Sequence, residues 1–549
     1  MNDCNTPGTP QWYPWCQAAF TRAREEHKPI LLFVGSRCSD AASGKNDATV
    51  SRIAGRYFIP VHLDAAELPG AAAVYAQASQ LLSGYMEPPY AVVADHLGRP
   101  FFTMRDTSPV ALSGLLSRIA LHWNSDPGPY ERTSALLQKK LERLSGAVQE
   151  CSPHEALWDN HFKALQSRFD RVNGGFSQGK KYPMPQELLF LLAYHRHTGD
   201  ARALAMACFT LRQLALGGIR DHLGGGFFHC TVDARWEIPR SRKYLLDQAW
   251  LLQAFTEAYA QTGKAFFRQV ARETADYVLR ELRSEDGGFY TAQWAAPDYY
   301  RLTDHRVRAQ LGENDGGVFC REYAIGETPS VPHLFNSKEP TEDSPLLQDC
   351  RTKLYRARLS KGGLQRDERS FTGECGVTVS TLASAGRVLG VERYLTAAAD
   401  GEAYLREHLR TVCDLQHCSR RGKSSGEGTL GDYAGYALAL ESLYHCGCGG
   451  EYLRSAAKVM TRADALFRDR EQQGYFLTRD SRNLPVRPKQ FWEEIGPSAQ
   501  SVALKVLVDL ARELPYPGLQ RTARQQMDYA AGSARSFDCG YGLAALMGA

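Results

Sequence analysis

The chain has 549 residues, 43% of them apolar and 23% charged, with a net charge of +4 from 65 basic and 61 acidic side chains. That length exceeds one ordinary domain, and the composition excludes wholesale disorder. The near balance of charge excludes a basic nucleic-acid surface, and no run approaches the roughly 18 apolar residues that span a bilayer.

The first ten residues are polar and lack the basic and apolar regions of a signal peptide, so a cytoplasmic protein is expected. In that reducing setting the 14 cysteines read as free thiols and small hydrophobes, not as a disulfide framework. Apolar runs at 28–35, 57–63 and 90–94 read as buried strands, with helical patterns at 16–26, 49–55 and 71–82 between them. Strands alternating with helices predict an α/β domain over residues 1–125. Asn124-Ser-Asp-Pro-Gly-Pro129 reads as a break, and 126–150 as a linker helix. From 151 to 549 strand signals nearly vanish. Amphipathic helical pairs recur instead, with Gly-Gly-aromatic turns at Asn173–Phe176, Gly224–Phe227, Asp286–Tyr290 and, more weakly, Gln473–Phe476. Several helical patterns end in Thr-Gly, as helix C-termini do. About a dozen helices with the glycine turns on one face predict a closed (α/α)6 toroid, with an open solenoid as the alternative.

A resemblance to a known family rests on residues spread along the chain. Trp12-Tyr-Pro-Trp15, Lys28-Pro-Ile30, Gly217-Gly-Ile-Arg-Asp-His-Leu-Gly-Gly-Gly-Phe227, Gly287-Gly-Phe-Tyr-Thr-Ala-Gln293, Asp432-Tyr-Ala434 and Val486-Arg-Pro-Lys489 follow one another in order. Together they resemble the thioredoxin-domain family typified by spermatogenesis-associated protein 20. The resemblance implies an N-terminal thioredoxin-like domain and a C-terminal six-hairpin (α/α) barrel similar to those of N-acylglucosamine and cellobiose 2-epimerases, proteins of carbohydrate metabolism.

Two sites follow from it. Dithiol exchange needs an attacking and a resolving thiol at a helix start. Here Cys38 stands for the first and Ala41 occupies the second position. A lone thiol cannot release its own mixed disulfide, so Cys38 is left as a single-thiol redox candidate or a remnant. Pro89 falls where thioredoxin folds place a cis-proline. In the barrel, where the family resemblance implies histidines and carboxylates, this chain has Met184, Arg240, Arg242, Glu374-Cys375 and Ala499-Gln500, and the histidine after Phe227 moves one place to His229. In an extended segment such a shift sends the side chain to the opposite face.

Asp221, His222, Asp233 and Asp247 persist as catalytic candidates, with helix capping and carbonyl satisfaction as the competing structural reading. Trp236, Arg240, Arg242, Lys243 and His229 are candidate ligand-binding residues. With Arg220 nearby, the basic run favours an anionic ligand; alternatively Arg242 pairs with Asp221 or Asp247. Cys413-Asp-Leu-Gln-His-Cys418 and His445-Cys-Gly-Cys448 have the residue types of a zinc site. Each follows one of two consecutive antiparallel helices, which puts them at opposite ends, so no metal and no cofactor are expected. The favoured reading is a catalytically degenerate scaffold, a pseudoenzyme binding a sugar-like or anionic small molecule. The alternatives are an active sugar isomerase, epimerase or hydrolase with a relocated site, and a single-thiol redox or adapter protein using Cys38. No nucleic-acid or membrane partner is expected, and a protein partner is left unidentified.

Overall fold

The computed structural model describes residues 12–36, 44–144, 154–334, 344–480, 483–493, 495–534 and 539–547. The chain forms two compact units, Met1–Ala147 with Asp469–Gln490, and Val148–Arg468 with Phe491–Ala549. The segment 469–490 therefore belongs with the first unit, whereas the sequence pattern ran the helical domain unbroken from 151 to 549.

In the first unit, strands β1 (Tyr13–Pro14), β2 (Ile30–Gly35), β3 (Ile59–Asp64), β4 (Tyr90–Ala94) and β5 (Pro100–Met104) form a sheet in the order β1-β3-β2-β4-β5. The first three are parallel, and β4 runs antiparallel to β2 and β5. Helices α1 (Gln17–Glu25), α2 (Ala48–Tyr57), α3 (Pro69–Ser83), α4 (Pro109–Ser125) and α5 (Gly128–Leu144) accompany the sheet. Strand β2 is apolar throughout because both its faces are covered. Ile30, Leu32 and Val34 join Phe20 and Tyr75 in one layer, while Leu31 joins Val50, Leu116 and Trp123 in the other. The sequence pattern shows neither β1, which is two residues long, nor β5, which Pro100 begins. The Pro88–Pro89 peptide immediately before β4 is cis, at the proline the sequence singles out. This part has the thioredoxin-like arrangement; Cys38 and Ala41 lie outside the described residues. Helix α5 is built into the unit instead of linking two domains, since Leu137 and Leu141 pack with Val74, Ala78 and Val486.

The second unit alternates outer and inner helices. Outer α6 (His154–Arg168) leads to inner α7 (Pro185–Thr198), outer α8 (Ala201–Leu216), inner α9 (Leu245–Thr262) and outer α10 (Ala265–Tyr277). An insertion carries short helices α11 (Pro297–Tyr300), α12 (Asp304–Leu311) and α13 (Glu313–Glu322), and the longer α14 (Pro345–Ser360). The pattern resumes with inner α15 (Thr372–Leu389), outer α16 (Glu392–Tyr404), inner α17 (Leu430–His445), outer α18 (Gly450–Phe467), inner α19 (Ala499–Glu513), outer α20 (Pro517–Ser533) and inner α21 (Gly540–Met547).

The inner helices touch in the sequence α7, α9, α15, α17, α19, α21 and back to α7, and the first helix, α6, packs on the last, α21. The ring is therefore closed, a six-pair (α/α) toroid, and the open solenoid is excluded. Small residues let neighbours approach: a Cβ on Gly376 of α15 would come within 2.4 Å of the Gly435 backbone of α17. Inner-to-outer connections are tight, two of them Thr198-Gly199 and Thr262-Gly263 with the glycine left-handed at the helix end. Outer-to-inner connections are long and hold the turns before α7, α9 and the insertion, all on the rim at the inner-helix N-termini. The fourth turn, near Gln473, lies in the segment belonging to the first unit.

The long connections also hold strands that the sequence pattern misses, because three to five residues are too few to show a period. They are β6 (Arg242–Tyr244), β7 (Ala292–Trp294), β8 (Gln365–Asp367), β9 (Arg369–Phe371), β10 (Gln416–Arg420) and β11 (Lys423–Glu427), in the sheets β6-β7-β8 and β11-β10-β9. No helix among the described residues is long and apolar enough to cross a membrane.

Candidate functional site

Several sequence-predicted residues are built into the glycine turns. In the turn before α9, the Asp221 amide donates to Gly226 O, and its carboxylate accepts the amides of Leu223 and Gly224. Lys243 Nζ bridges Asp221 Oδ2 and the Gly225 carbonyl, at 2.7 Å each. The same clasp occurs before α7, where Lys181 joins Asp170 to the Gly174 carbonyl, and in 469–490, where Lys489 joins Asp469 to the Gln473 carbonyl. In each copy the aspartate amide donates to the residue five positions on. An arrangement repeated in three turns is a fold device, so Asp221 and Lys243 are structural here.

Arg358 of α14 adds two further hydrogen bonds to Asp221, at 2.9 and 2.8 Å. Burial alone would raise the Asp221 carboxyl, but the charges of Arg358 and Lys243 outweigh it and hold it well below the usual carboxylate range. Burial in turn lowers Lys243 to about 8, against the attraction of Asp221. Both groups remain charged at neutral pH.

The other predicted residues separate. His222 donates from Nε2 to the Gly217 carbonyl, and burial lowers it to about 3, so it stays neutral. It lines a pocket of about 270 Å³ with Arg220, Glu273 and Arg351. Asp233 accepts the amides of Arg235, Glu237 and Ile238 and so shapes its own loop. Trp236 is fully buried with φ +67°, its indole N–H donating to the Asn173 carbonyl, a core position and not a ligand wall. Arg240 and Arg242 are half-buried. The two carboxylates considered as partners for Arg242 are taken, Asp221 by Lys243 and Arg358, Asp247 by His229. Strand alternation in β6 sends Lys243 inward, away from Arg242, so the basic run does not act as one patch.

What the structure does bring together is His229 and Asp247. His229 Nδ1 lies 2.8 Å from Asp247 Oδ2, and no partner of its Nε2 is found among the described residues. The side chains keep 19% and 12% exposure. The one-residue shift acts as expected: Phe228 is buried against Tyr300 and beneath the Lys243 ammonium, whereas His229 lies on the other side, edge-on to Tyr182 and Tyr244.

Asp247 is the third residue of inner helix α9, and the corresponding position recurs around the rim. Glu187 in α7, Glu374 in α15 and Asp432 in α17 are also third residues of inner helices, where the helix dipole favours a carboxylate. Asp432 holds His417, with Nδ1 2.7 Å from Oδ2, and also accepts the Gly373 amide and the Thr429 amide and hydroxyl. Glu187 holds His161 at 2.7 Å.

Glu374 accepts the Thr291 hydroxyl. Burial pushes its carboxyl up to about 7, against the opposing pull of Thr291, His417 and Arg369. Thr291 also accepts the Leu245 amide at its carbonyl, which ties the start of α9 to Glu374. Three consecutive inner helices thus present, at matched positions, an imidazole–carboxylate dyad, a carboxyl that holds its proton near neutral pH, and a second dyad.

Sequence reasoning missed Glu374, His417 and Asp432. Glu374 reads as a lost family motif, and His417 is absorbed in the cysteine cluster considered for zinc. The usable signal is Thr429-Leu-Gly-Asp432, a capping box that marks a helix start and places Asp432 on the rim.

Residues 6–142 match the family model Thioredox_DsbH, described as a protein of unknown function, DUF255. The chain is 29% identical to human spermatogenesis-associated protein 20 over 576 residues, covering 91% of this chain and 73% of the relative. The chain is a divergent relative of spermatogenesis-associated protein 20. An uncharacterized protein of Caenorhabditis elegans is 24% identical over 575 residues, covering 91% of this chain and 77% of its own. Among solved structures, a D-mannose isomerase gives a TM-score of 0.49 at 11% identity, covering 68% of this chain and 84% of that one. Cellobiose 2-epimerase from Spirochaeta thermophila gives 0.47 at 14% identity, covering 72% and 95%. These are distant likenesses, and the closed ring rests on its own helix contacts.

Proposed function

We propose that the rim of the second unit is a proton-transfer site for a small carbonyl-bearing polyol, a sugar, acting at the carbon beside the carbonyl. The observation that carries this reading is the pair of dyads on α9 and α17 with Glu374 between them. Histidine is the side chain suited to moving protons near neutral pH, and at His229 the Asp247 carboxylate at Nδ1 fixes the ring's orientation and leaves Nε2 for the substrate. His229 takes the proton from carbon, and the C–H electron pair moves to the carbonyl oxygen. Glu374, protonated below about pH 7, donates a hydrogen bond to that oxygen as its charge develops. Return of the proton to the former carbonyl carbon, with the adjacent hydroxyl proton passing to the enolate oxygen, gives isomerisation, and return to the opposite face of the original carbon gives epimerisation.

The sequence pattern favours a degenerate binding scaffold; the dyads, invisible in that pattern, support turnover. The experiment is incubation of the full chain with a panel of aldoses and ketoses in D2O, with NMR detection of deuterium beside the carbonyl. Incorporation that is lost in His229→Ala, with circular dichroism unchanged, is expected. Sugar binding without incorporation would restore the scaffold reading, and neither binding nor incorporation would overturn the sugar assignment.

A further inference from the structure

Inside the ring lies a chamber of about 400 Å³, to which all six inner helices contribute. Its charged lining comes mostly from the later turns of the long inner helices. Arg387, for example, lies about 20 Å along α15 from Glu374 at the helical rise per residue. On α7 and α9 the lining begins at Leu189 and Trp250, within one turn of Glu187 and Asp247, and from there it extends away from the dyad rim.

The charges there are unevenly partnered. Arg196 pairs with Glu257, and Lys505 pairs with Asp509 and lies 3.6 Å from Glu441. His445 Nε2 lies 3.4 Å from the same Glu441, and Glu513 adds to the attraction that raises the imidazole. Two guanidinium groups are left over. Arg387 has no carboxylate partner among the described residues, and the nearest carboxylate to Arg512 is Asp509 at 4.0 Å, beyond hydrogen-bonding distance. Deeper in, Trp250 is 4% exposed, and its indole N–H has no partner among the described residues. Its ring lies 5.1 Å from that of Tyr541.

Arginines in the last turns of α15 and α19 suit the negative ends of those helices, which accounts for their sign. It does not account for their convergence on a chamber that also holds an unpartnered indole N–H and the Glu441 and Asp509 carboxylates. We infer that this chamber binds a small polyol bearing one anionic group, a phosphate or a carboxylate. The guanidinium groups take the anion in paired hydrogen bonds, the inner carboxylates accept from hydroxyls, and Trp250 donates to one of them. The volume suits a ligand of monosaccharide size. This inference does not depend on the rim being catalytic.

The test is calorimetric titration and thermal shift of the full chain with glucose 6-phosphate, glucuronate, glucose and inorganic phosphate. The two anionic sugars should bind and raise Tm with concentration, and glucose should bind at least about tenfold more weakly. Arg387→Ala combined with Arg512→Ala should cost the anionic sugars about tenfold or more, whereas His229→Ala should leave them unchanged. Equal affinity for phosphate and the sugar phosphate would overturn the polyol assignment. Binding that survives the arginine substitutions but is lost in His229→Ala would overturn the location, and no binding by any of the four would overturn the site.

Discussion

Glu374→Gln isolates the protonated carboxyl of the rim. Glutamine keeps the shape and can still accept the Thr291 hydroxyl, so the substitution removes the titration and little else. Burial raises the carboxyl from 4.5 to about 7, against the nearby His417 and Arg369. The folded chain therefore binds this proton more tightly than the unfolded chain does. The stability it contributes is fully present below the unfolded value and is lost as pH rises toward the folded one. At 1.36 kcal/mol per unit, wild type should lose up to about 3 kcal/mol relative to the glutamine variant between about pH 4.5 and pH 7, with a flat difference above. Urea unfolding of both proteins across that range reads the difference directly, and titrations elsewhere in the chain cancel between them. Parallel curves would show that Glu374 is ionised throughout, and would remove the hydrogen-bond donor from the proposed chemistry.

Two further outcomes follow from the geometry. Lys243→Met leaves Asp221 buried with Arg358 as its one remaining cation and the Gly225 carbonyl without its donor, so stability should fall by about 3–5 kcal/mol; a loss below about 1 kcal/mol in urea unfolding would mean the clasp is not a stabilising device. With Ala41 opposite Cys38, the chain should not catalyse reduction of insulin by dithiothreitol, and a rate well above background that vanishes in Cys38→Ser would refute this.

The large elements are legible because their patterns are long. Strand β2 announces itself as six apolar residues in a row, and the helices of the ring as amphipathic pairs ended by Thr-Gly. Closure is not legible, because a helical repeat has the same period whether its ends meet or not. It is decided by α6 packing on α21, a contact between the first and last helices of the unit. The role of 469–490 is hidden for a similar reason. Val486 belongs to a cluster with α3 and α5, and no local feature of the segment reveals a partner more than three hundred residues away.

The site was harder to read than the fold because the same residue types serve both. Asp221 and Lys243 stand in the most distinctive segment of the chain, yet they are explained by a turn that recurs at Asp170–Lys181 and Asp469–Lys489. A lysine that closes such a turn must be buried, and a buried lysine needs its carboxylate; both are therefore fixed by folding whatever the chemistry. The dyads obey a different rule. Asp247 and Asp432 are placed by helix N-termini, and each histidine comes from the connection before its helix, 18 and 15 residues earlier. Unequal spacing gives no motif, so the pairing appears only when the inner helices are aligned by their first turns. Glu374 occupies the same third position in α15, and there burial outweighs the opposing Thr291 hydroxyl and the charges of His417 and Arg369, so the carboxyl is pushed up.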